Sequence, residues 1–156
     1  MTDLFRKLNL KEGARMLVVD APASFEAELA PLAGMEIRRD PASAASVDFS
    51  LCFVTKRADI DRLGPELARK TEGDAVLWFA YPKASSKNYA CDFNRDSGWD
   101  ALGALGFEAV RQIAIDADWS ALRFRRTEYI KSLARTRLGA LSDSGKSRLK
   151  GRGEPS

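Results

Sequence analysis

Basic and hydroxyl-bearing side chains follow one of the most apolar segments of the chain. The apolar run over residues 77–81 ends at Pro82, which we expect to end strand pairing. The next polar side chains are Lys83, Ser85, Ser86 and Lys87. Ligands of open α/β sheets bind beyond the carboxyl ends of the strands, and ammonium and hydroxyl donors suit an anion. We therefore predict an anion site here, to which Asn94 and Arg95 contribute; the alternative is a solvated loop with a helix cap.

A second segment, over residues 116–126, combines carboxylates, a tryptophan and arginines. One interpretation is that Trp119 fills the core while Asp116 and Asp118 form a hairpin turn. The other is that Trp119 and Arg123 line the same crevice as the polar loop. Under the second interpretation, both residues join the candidate ligand site.

The chain contains no histidine, and this excludes several common chemistries. Ser-His-Asp triads, Cys-His pairs and imidazole acid–base catalysis all require that side chain. Zinc sites with histidine are excluded too, and two separated cysteines, Cys52 and Cys91, cannot form a four-cysteine site. We predict no metal site and two free thiols, with Cys52 in the core. Any catalysis would depend on Lys, Asp, Glu, Tyr, Ser or Cys.

The turn after the first predicted strand contains no glycine. Dinucleotide sites use glycines at this turn so that the backbone can approach the pyrophosphate, and a methyl-donor site would use them as well. Here Asp20-Ala-Pro22 follows the strand, and the proline removes a backbone N–H that could have met an anion. We therefore predict neither an NAD nor an S-adenosylmethionine site, and no cofactor.

Strands and helices alternate along the chain. Apolar strands are predicted near residues 15–20, 35–39, 47–54 and 75–81. Near-continuous apolar strands separated by helices are typical of a largely parallel sheet covered on both faces. Two final strands, near 110–115 and 119–125, form an antiparallel pair. The predicted fold class is α/β: a Rossmann-like three-layer fold, mostly parallel, with an antiparallel C-terminal hairpin.

Two of the helices carry start, stop or interruption signals. Apolar residues spaced three and four apart over residues 60–67 predict a helix. Gly64-Pro65 interrupts that pattern and predicts a kink or two short helices. A later helix is expected to be capped by Asp96 or Ser97 and to stop at Gly106.

Positive charge is concentrated at the C-terminus. The chain has a net charge of +3, while residues 131–156 hold seven basic and two acidic side chains, a net of +5 that leaves −2 for the rest. We predict a Rossmann-like domain over residues 1–127, a candidate helix over 128–141 and a disordered basic tail over 142–156. The tail could neutralise nucleic-acid phosphates but has no aromatic residue for base stacking, so nucleic acid is a less favoured partner.

Membrane association is not expected from the hydropathy pattern. No apolar run approaches the roughly 18–20 residues that span a bilayer, and the first residues do not resemble a signal peptide. We expect a cytoplasmic protein without a membrane partner. The oligomeric state is left open.

Two groups of motifs occur together: Tyr81-Pro-Lys83 with Ser86-Lys87, and Asp118-Trp-Ser120 with Arg123. With Asp20-Ala-Pro22, they resemble an uncharacterised bacterial family of small proteins over about residues 5–127. That family is a domain of unknown function, so the resemblance implies a Rossmann-like fold and supplies no activity. Its strand order is similar to that of class I methyltransferases, without the glycine-rich donor loop.

Three functional hypotheses follow. The favoured one is a non-enzymatic Rossmann-like domain that binds a small anionic ligand or a protein partner. The second is an enzyme of unknown class in which Lys83 or Lys87 supplies charge or, after burial lowers its pKa, a nucleophile. The third is a nucleic-acid-associated protein that uses its basic tail.

Overall fold

The structure is a computed structural model and describes residues 2–32 and 34–130. The strands are β1 Met16–Val19, β2 Ile37–Arg38, β3 Phe49–Phe53, β4 Val76–Pro82, β5 Phe107–Ala114 and β6 Trp119–Arg126. The helices are α1 Asp3–Lys7, α2 Glu26–Leu29, α3 Arg57–Lys70 and α4 Asp100–Ala104. Residues 127–129 form a 3₁₀ turn. Residues 131–141 of the candidate helix, and the tail over 142–156, lie outside the described residues.

The strands form one six-stranded sheet in the order β2-β1-β3-β4-β6-β5. The pairs β1–β2, β1–β3 and β3–β4 are parallel. Strand β6 lies antiparallel between β4 and β5. The predicted fold class is confirmed: a mostly parallel Rossmann-like sheet that ends in an antiparallel hairpin.

Alternate residues of each strand pack into two separate cores. In β4, Leu77, Phe79 and Tyr81 join the cluster formed with α3 and α4, which we call the α3/α4 face. Trp78 and Ala80 point the other way, to the α1/α2 face. The buried Trp78 Nε1 donates to the carbonyl of Leu8 at 2.7 Å, which holds the segment after α1 against the sheet. Burying each large apolar side chain contributes about 1.5–3 kcal/mol.

Helix α3 is a single helix that contains Pro65, so of the two predicted alternatives, a kink or two short helices, the second is wrong. Proline has no N–H to donate to the carbonyl of Asp61, four residues earlier. Asp61 lies on the exposed side of the helix. Ile60, Leu63 and Leu67 are fully buried on the α3/α4 face, and their burial holds the helix together on both sides of the proline.

The predicted cap of the following helix is also wrong. Helix α4 begins after Trp99 and has no side-chain cap. Asp96 and Ser97 instead fold back on Asn94, whose Oδ1 accepts from the Asp96 N–H at 2.8 Å and from the Ser97 hydroxyl at 3.2 Å. The predicted stop is confirmed, because Gly106 takes a φ of +90° directly after the helix.

Pro82 does not end the pairing of β4, contrary to the sequence-based expectation. It lies opposite Trp119, and the next residue, Lys83, donates its N–H to the carbonyl of Asp118 at 2.7 Å. The nitrogen of Pro82 faces the other neighbour, β3, which has already ended at Phe53. The missing N–H therefore removes no ladder bond.

A surface ion pair connects the segments that lead into β1 and β3. The backbone N–H and Nε of Arg15 donate to Asp48 Oδ2 at 2.8 and 2.9 Å, and its NH2 group donates to Oδ1 at 2.8 Å. The hydrogen bonds from the Arg15 side chain are the main reason that the pKa of Asp48 is lowered to about 2.

This ion pair predicts a defined loss of stability in acid. The folded pKa of Asp48 lies below its unfolded value of about 3.9, so its contribution is complete above pH of about 4 and disappears as the pH falls towards 2. Because the pair is exposed, we expect Asp48→Asn to lower the free energy of unfolding by only about 0.2–1 kcal/mol at pH 7. Urea unfolding from pH 7 to 2 should show this difference vanishing between pH 4 and 2. A matched Asp61→Asn variant should follow the wild type throughout.

Candidate functional site

A crevice of about 690 Å³ opens beyond the carboxyl end of β4, on the α3/α4 face. Its floor consists of Tyr81 from β4, Gln112 from β5 and Ser120 from β6. Its wall is the segment of residues 83–99, which we call the β4–α4 loop. Because β6 runs antiparallel to β4, the start of β6 and the end of β4 meet at this edge of the sheet.

The structure brings together five of the eight predicted site residues. The crevice is lined by Lys83, Ser85, Ser86, Asn94 and Arg95. Lys87 is exposed on the same loop but does not line the crevice. Successive residues of a strand point to opposite faces of the sheet. Ser120 of β6 faces the crevice, so Trp119 and Arg123, at odd spacings from it, lie on the α1/α2 face.

Trp119 belongs to the core, as the first interpretation of its segment predicts. Its side chain is 3% exposed and packs edge-on against Phe53, with ring centroids 5.1 Å apart. Asp116 closes the hairpin turn, because its Oδ1 accepts from the N–H groups of Asp118 and Trp119 at 2.8 and 2.9 Å. The indole of Trp119 therefore contributes to packing on the side of the sheet opposite the crevice.

Asp118 holds the β4–α4 loop in place. Its Oδ1 accepts from the Ser86 hydroxyl at 2.8 Å, and its Oδ2 accepts from the Asn88 amide at 3.3 Å. The Ser86 oxygen also accepts from the N–H of Tyr89 at 3.1 Å. The Ser86 hydroxyl thus shapes the loop, while Ser85 is exposed at the rim.

Tyr81 supplies a hydrogen-bond donor at the floor. Burial raises the pKa of its phenol to about 12, so the group is protonated at neutral pH. Gln112 Nε2 donates to the phenolic oxygen at 2.9 Å, which leaves the hydroxyl hydrogen free to donate to a ligand. Sequence reasoning missed Tyr81 because it ends an apolar run, and it missed Gln112 and Ser120 because their face depends on strand register.

The charge of the crevice is slightly positive. Its lining carries two cations, Lys83 and Arg95, and one anion, Asp96, a net of +1. Arg95 Nε lies 3.3 Å from Asp96 Oδ1, an exposed contact between neighbours that constrains the guanidinium weakly. Both cations therefore lie at the rim of the crevice, where their N–H groups can donate hydrogen bonds to a ligand.

The crevice also has an apolar wall. The Phe93 ring packs between Tyr81 and Trp99, at centroid distances of 6.0 and 5.1 Å. Gly98 permits this close packing, because a Cβ at its position would lie 2.6 Å from the Cβ of Phe93. Cys91 lines the same wall and donates its S–H to the carbonyl of Phe93 at 2.9 Å. The two cysteines are free thiols, as predicted.

The turn after β1 lacks the features expected of an anion site. Asp20 is exposed and has a φ of +56°, and Pro22 then begins a 3₁₀ turn over Ala23–Phe25. The carbonyl of Pro22 accepts from the N–H of Phe25 at 2.8 Å. Helix α2, which follows, spans only Glu26–Leu29. The turn therefore presents no long helix N-terminus to an anion.

Two features are absent from residues 2–32 and 34–130. In that part of the chain, no group of three or more His, Cys, Asp or Glu side chains is arranged to hold a metal ion. No helix there combines the length and apolar character that crossing a membrane requires.

Solved structures with this fold include methyltransferases. A SAM dependent methyltransferase from Aquifex aeolicus superposes with a TM-score of 0.57 at 14% identity, over 80% of this chain and 88% of that one. TrmN from Thermus thermophilus gives a TM-score of 0.50 at 11% identity, over 79% of this chain, which spans about half (47%) of that protein. No protein-family model matches, and the search of curated proteins gave no match. The likeness establishes the fold alone, and membership of the uncharacterised bacterial family stays a prediction.

The Asp118 contacts predict how the loop responds to mutation. Asp118→Ala removes the acceptor for Ser86 and Asn88, so we expect faster amide hydrogen exchange across residues 83–90. The free energy of unfolding should fall by about 1.5–3 kcal/mol, as for hydrogen bonds to a charged group. Ser86→Ala should produce the same faster amide exchange, and Ser85→Ala should leave the exchange rates as in the wild type. Unchanged exchange in Asp118→Ala would mean that other contacts hold the loop.

Proposed function

We propose that this chain is a non-enzymatic Rossmann-like domain that binds a small organic anion in the crevice beyond β4. The observation that carries the proposal is the combination of two rim cations, Lys83 and Arg95, with the buried hydroxyl of Tyr81 in one walled crevice of about 690 Å³. Small-molecule sites have volumes of about 300–1,000 Å³ and combine apolar walls with a few polar groups.

The lining supports a ligand with two different parts. Lys83 and Arg95 offer charge-assisted donors to a carboxylate or phosphate, which are stronger than neutral hydrogen bonds. The Tyr81 hydroxyl adds a donor at the floor, and Phe93 offers an apolar surface beside it. We infer a metabolite with an anionic group and a ring or short apolar portion.

The chemistry of Tyr81 and Cys91 in the lining favours binding over catalysis. A nucleophile or general base must be activated by a neighbour or by a lowered pKa. The raised pKa of Tyr81 keeps its phenol protonated, and the Cys91 S–H is committed to the backbone carbonyl of Phe93. Lys83 and Lys87 remain the residues on which the alternative, an enzyme of unknown class, would depend.

Methyl transfer is the second candidate function, favoured by the names of the proteins that share this fold. The turn after β1 opposes it. Pro22 removes one N–H, and the carbonyl of the same residue is committed to the N–H of Phe25 at 2.8 Å. A donor nucleotide would have to approach Ala21 and Ala23, whose Cβ atoms stand where such sites use glycine.

Titration with S-adenosylmethionine distinguishes the two candidates. Because the turn around Pro22 offers no glycine cradle, we expect no heat of binding by calorimetry. A dissociation constant in the low micromolar range would support methyl transfer and contradict the proposal of a non-enzymatic domain.

A melting screen with carboxylated and phosphorylated metabolites tests the crevice. A ligand that binds the folded state raises the Tm, so hits identify candidate ligands. For a hit, Lys83→Ala and Arg95→Ala should each weaken binding by about 10–100-fold, the equivalent of a charged hydrogen bond of about 1.5–3 kcal/mol. Tyr81→Phe should weaken it by a smaller factor.

Lys87→Ala is the matched control, because it removes the same charge from the same loop outside the crevice. We expect ligand affinity in this variant to stay within about twofold of the wild type, because Lys87 does not line the crevice. Equal losses in Lys83→Ala and Lys87→Ala would indicate nonspecific attraction to the loop. A screen without a stabilising anion would contradict the proposal.

A further inference from the structure

Two arginines lie directly opposite each other in the C-terminal hairpin. Arg111 of β5 is the cross-strand partner of Arg123 of β6, so both side chains lie on the α1/α2 face. Opposed residues of antiparallel strands have Cβ atoms about 4.5–5.5 Å apart, and like charges there destabilise the sheet. The hairpin therefore maintains an unfavourable pair.

A register irregularity creates this pair. Ala109 pairs with Phe124, but Arg111 pairs with Arg123, so Val110 is the extra residue of a bulge. Without the bulge, Val110 would face Arg123 and Arg111 would point to the other face. Bulges redirect side chains in this way and occur near functional sites.

Several other arginines of the fold have carboxylate partners. Arg15, Arg39 and Arg125 each make two side-chain hydrogen bonds to one carboxylate. Among residues 2–32 and 34–130, neither Arg111 nor Arg123 has an ion pair or hydrogen bond to an acid, and the Nε of Arg123 is buried without an acceptor. A buried donor without an acceptor is destabilising, and more so when the group is charged.

The surroundings of Arg123 are positive. Burial is the main cause that lowers its pKa, and the charges of Arg125 and Arg111 lower it further. Asp74 acts in the opposite direction, but both of its oxygens bind Arg125, at 2.9 and 2.6 Å. Glu108 of β5 lies opposite Arg125 and is fully buried. The two guanidinium groups thus share a region with a deficit of negative charge.

We propose that Arg111 and Arg123 form a binding site for a phosphate group, on the face of the sheet opposite the crevice. Guanidinium forks match the oxygens of phosphate, and two forks side by side favour a dianion over a single carboxylate. Binding replaces mutual repulsion with attraction to a shared anion. The phosphate could come from a small phosphorylated molecule or from a nucleic-acid backbone.

Thermal unfolding of the full chain in pyrophosphate, against sodium chloride at equal ionic strength, tests this site. We expect pyrophosphate to raise the Tm beyond the effect of salt. Arg111→Gln should raise the Tm in phosphate-free buffer, because it removes the repulsion, and should increase the half-maximal pyrophosphate concentration at least tenfold. Arg111→Lys should retain the wild-type Tm and still bind pyrophosphate less well, because it keeps the charge without the fork.

Two control variants make the result specific. Arg69→Gln removes an exposed arginine of α3, and Lys87→Ala removes an exposed cation of the β4–α4 loop outside the crevice; both should keep the wild-type response to pyrophosphate. The proposal is overturned if pyrophosphate does no more than salt, or if either control loses the response as fully as Arg111→Gln.

Fluorescence anisotropy with a short single-stranded RNA identifies the source of the phosphate. Binding that is weakened in Arg111→Gln and competed by pyrophosphate assigns the site to a nucleic-acid backbone. A pyrophosphate response without RNA binding at this site assigns it to a small phosphorylated molecule.

Discussion

Complete burial of β4 is the constraint on which the rest of the structure depends. All of its residues, from Val76 to Pro82, are buried, and the strand pairs with β3 on one side and β6 on the other. A strand in this position cannot carry charge, so the first polar side chain appears at Lys83, where the sheet ends. The ladder with β6 continues to that point through the bond from Lys83 to the Asp118 carbonyl. The Asp118 carboxylate is thereby placed where it holds the β4–α4 loop, and the loop encloses the crevice.

The crevice lies at a different position in the sheet from the usual ligand site of similar folds. Open α/β sheets usually bind ligands where the strand order reverses, which in this sheet lies between β1 and β3. Here the glycine-free turn with Pro22 occupies that point, and the crevice lies two strands away, between β4 and the hairpin. Fold likeness to methyltransferases therefore has to be considered apart from the site, because function depends on the side chains that a fold positions.

Pairing of charges gives the surface a second level of organisation. Bidentate pairs such as Arg15–Asp48 and Arg39–Glu26 connect segments far apart in the sequence. Each is exposed and contributes little to stability, yet together they place a carboxylate beside many of the arginines. The facing arginines of the hairpin depart from that pattern, and the departure depends on one bulged residue, Val110.

The sequence by itself determined the features that depend on local pattern. The order of strands and helices, the antiparallel hairpin, the stop at Gly106 and the polar loop after β4 all follow from periodicity and residue type over short windows. Only the tertiary structure decided which face each hairpin residue occupies, because side chains alternate and one bulged residue reverses every assignment after it. That is why Gln112 and Ser120 were missed at the crevice floor, and why Arg123 was grouped with Lys83 although the two lie on opposite faces. Local propensity also failed at Pro65, because burial of Leu63 and Leu67 outweighs a single missing hydrogen bond.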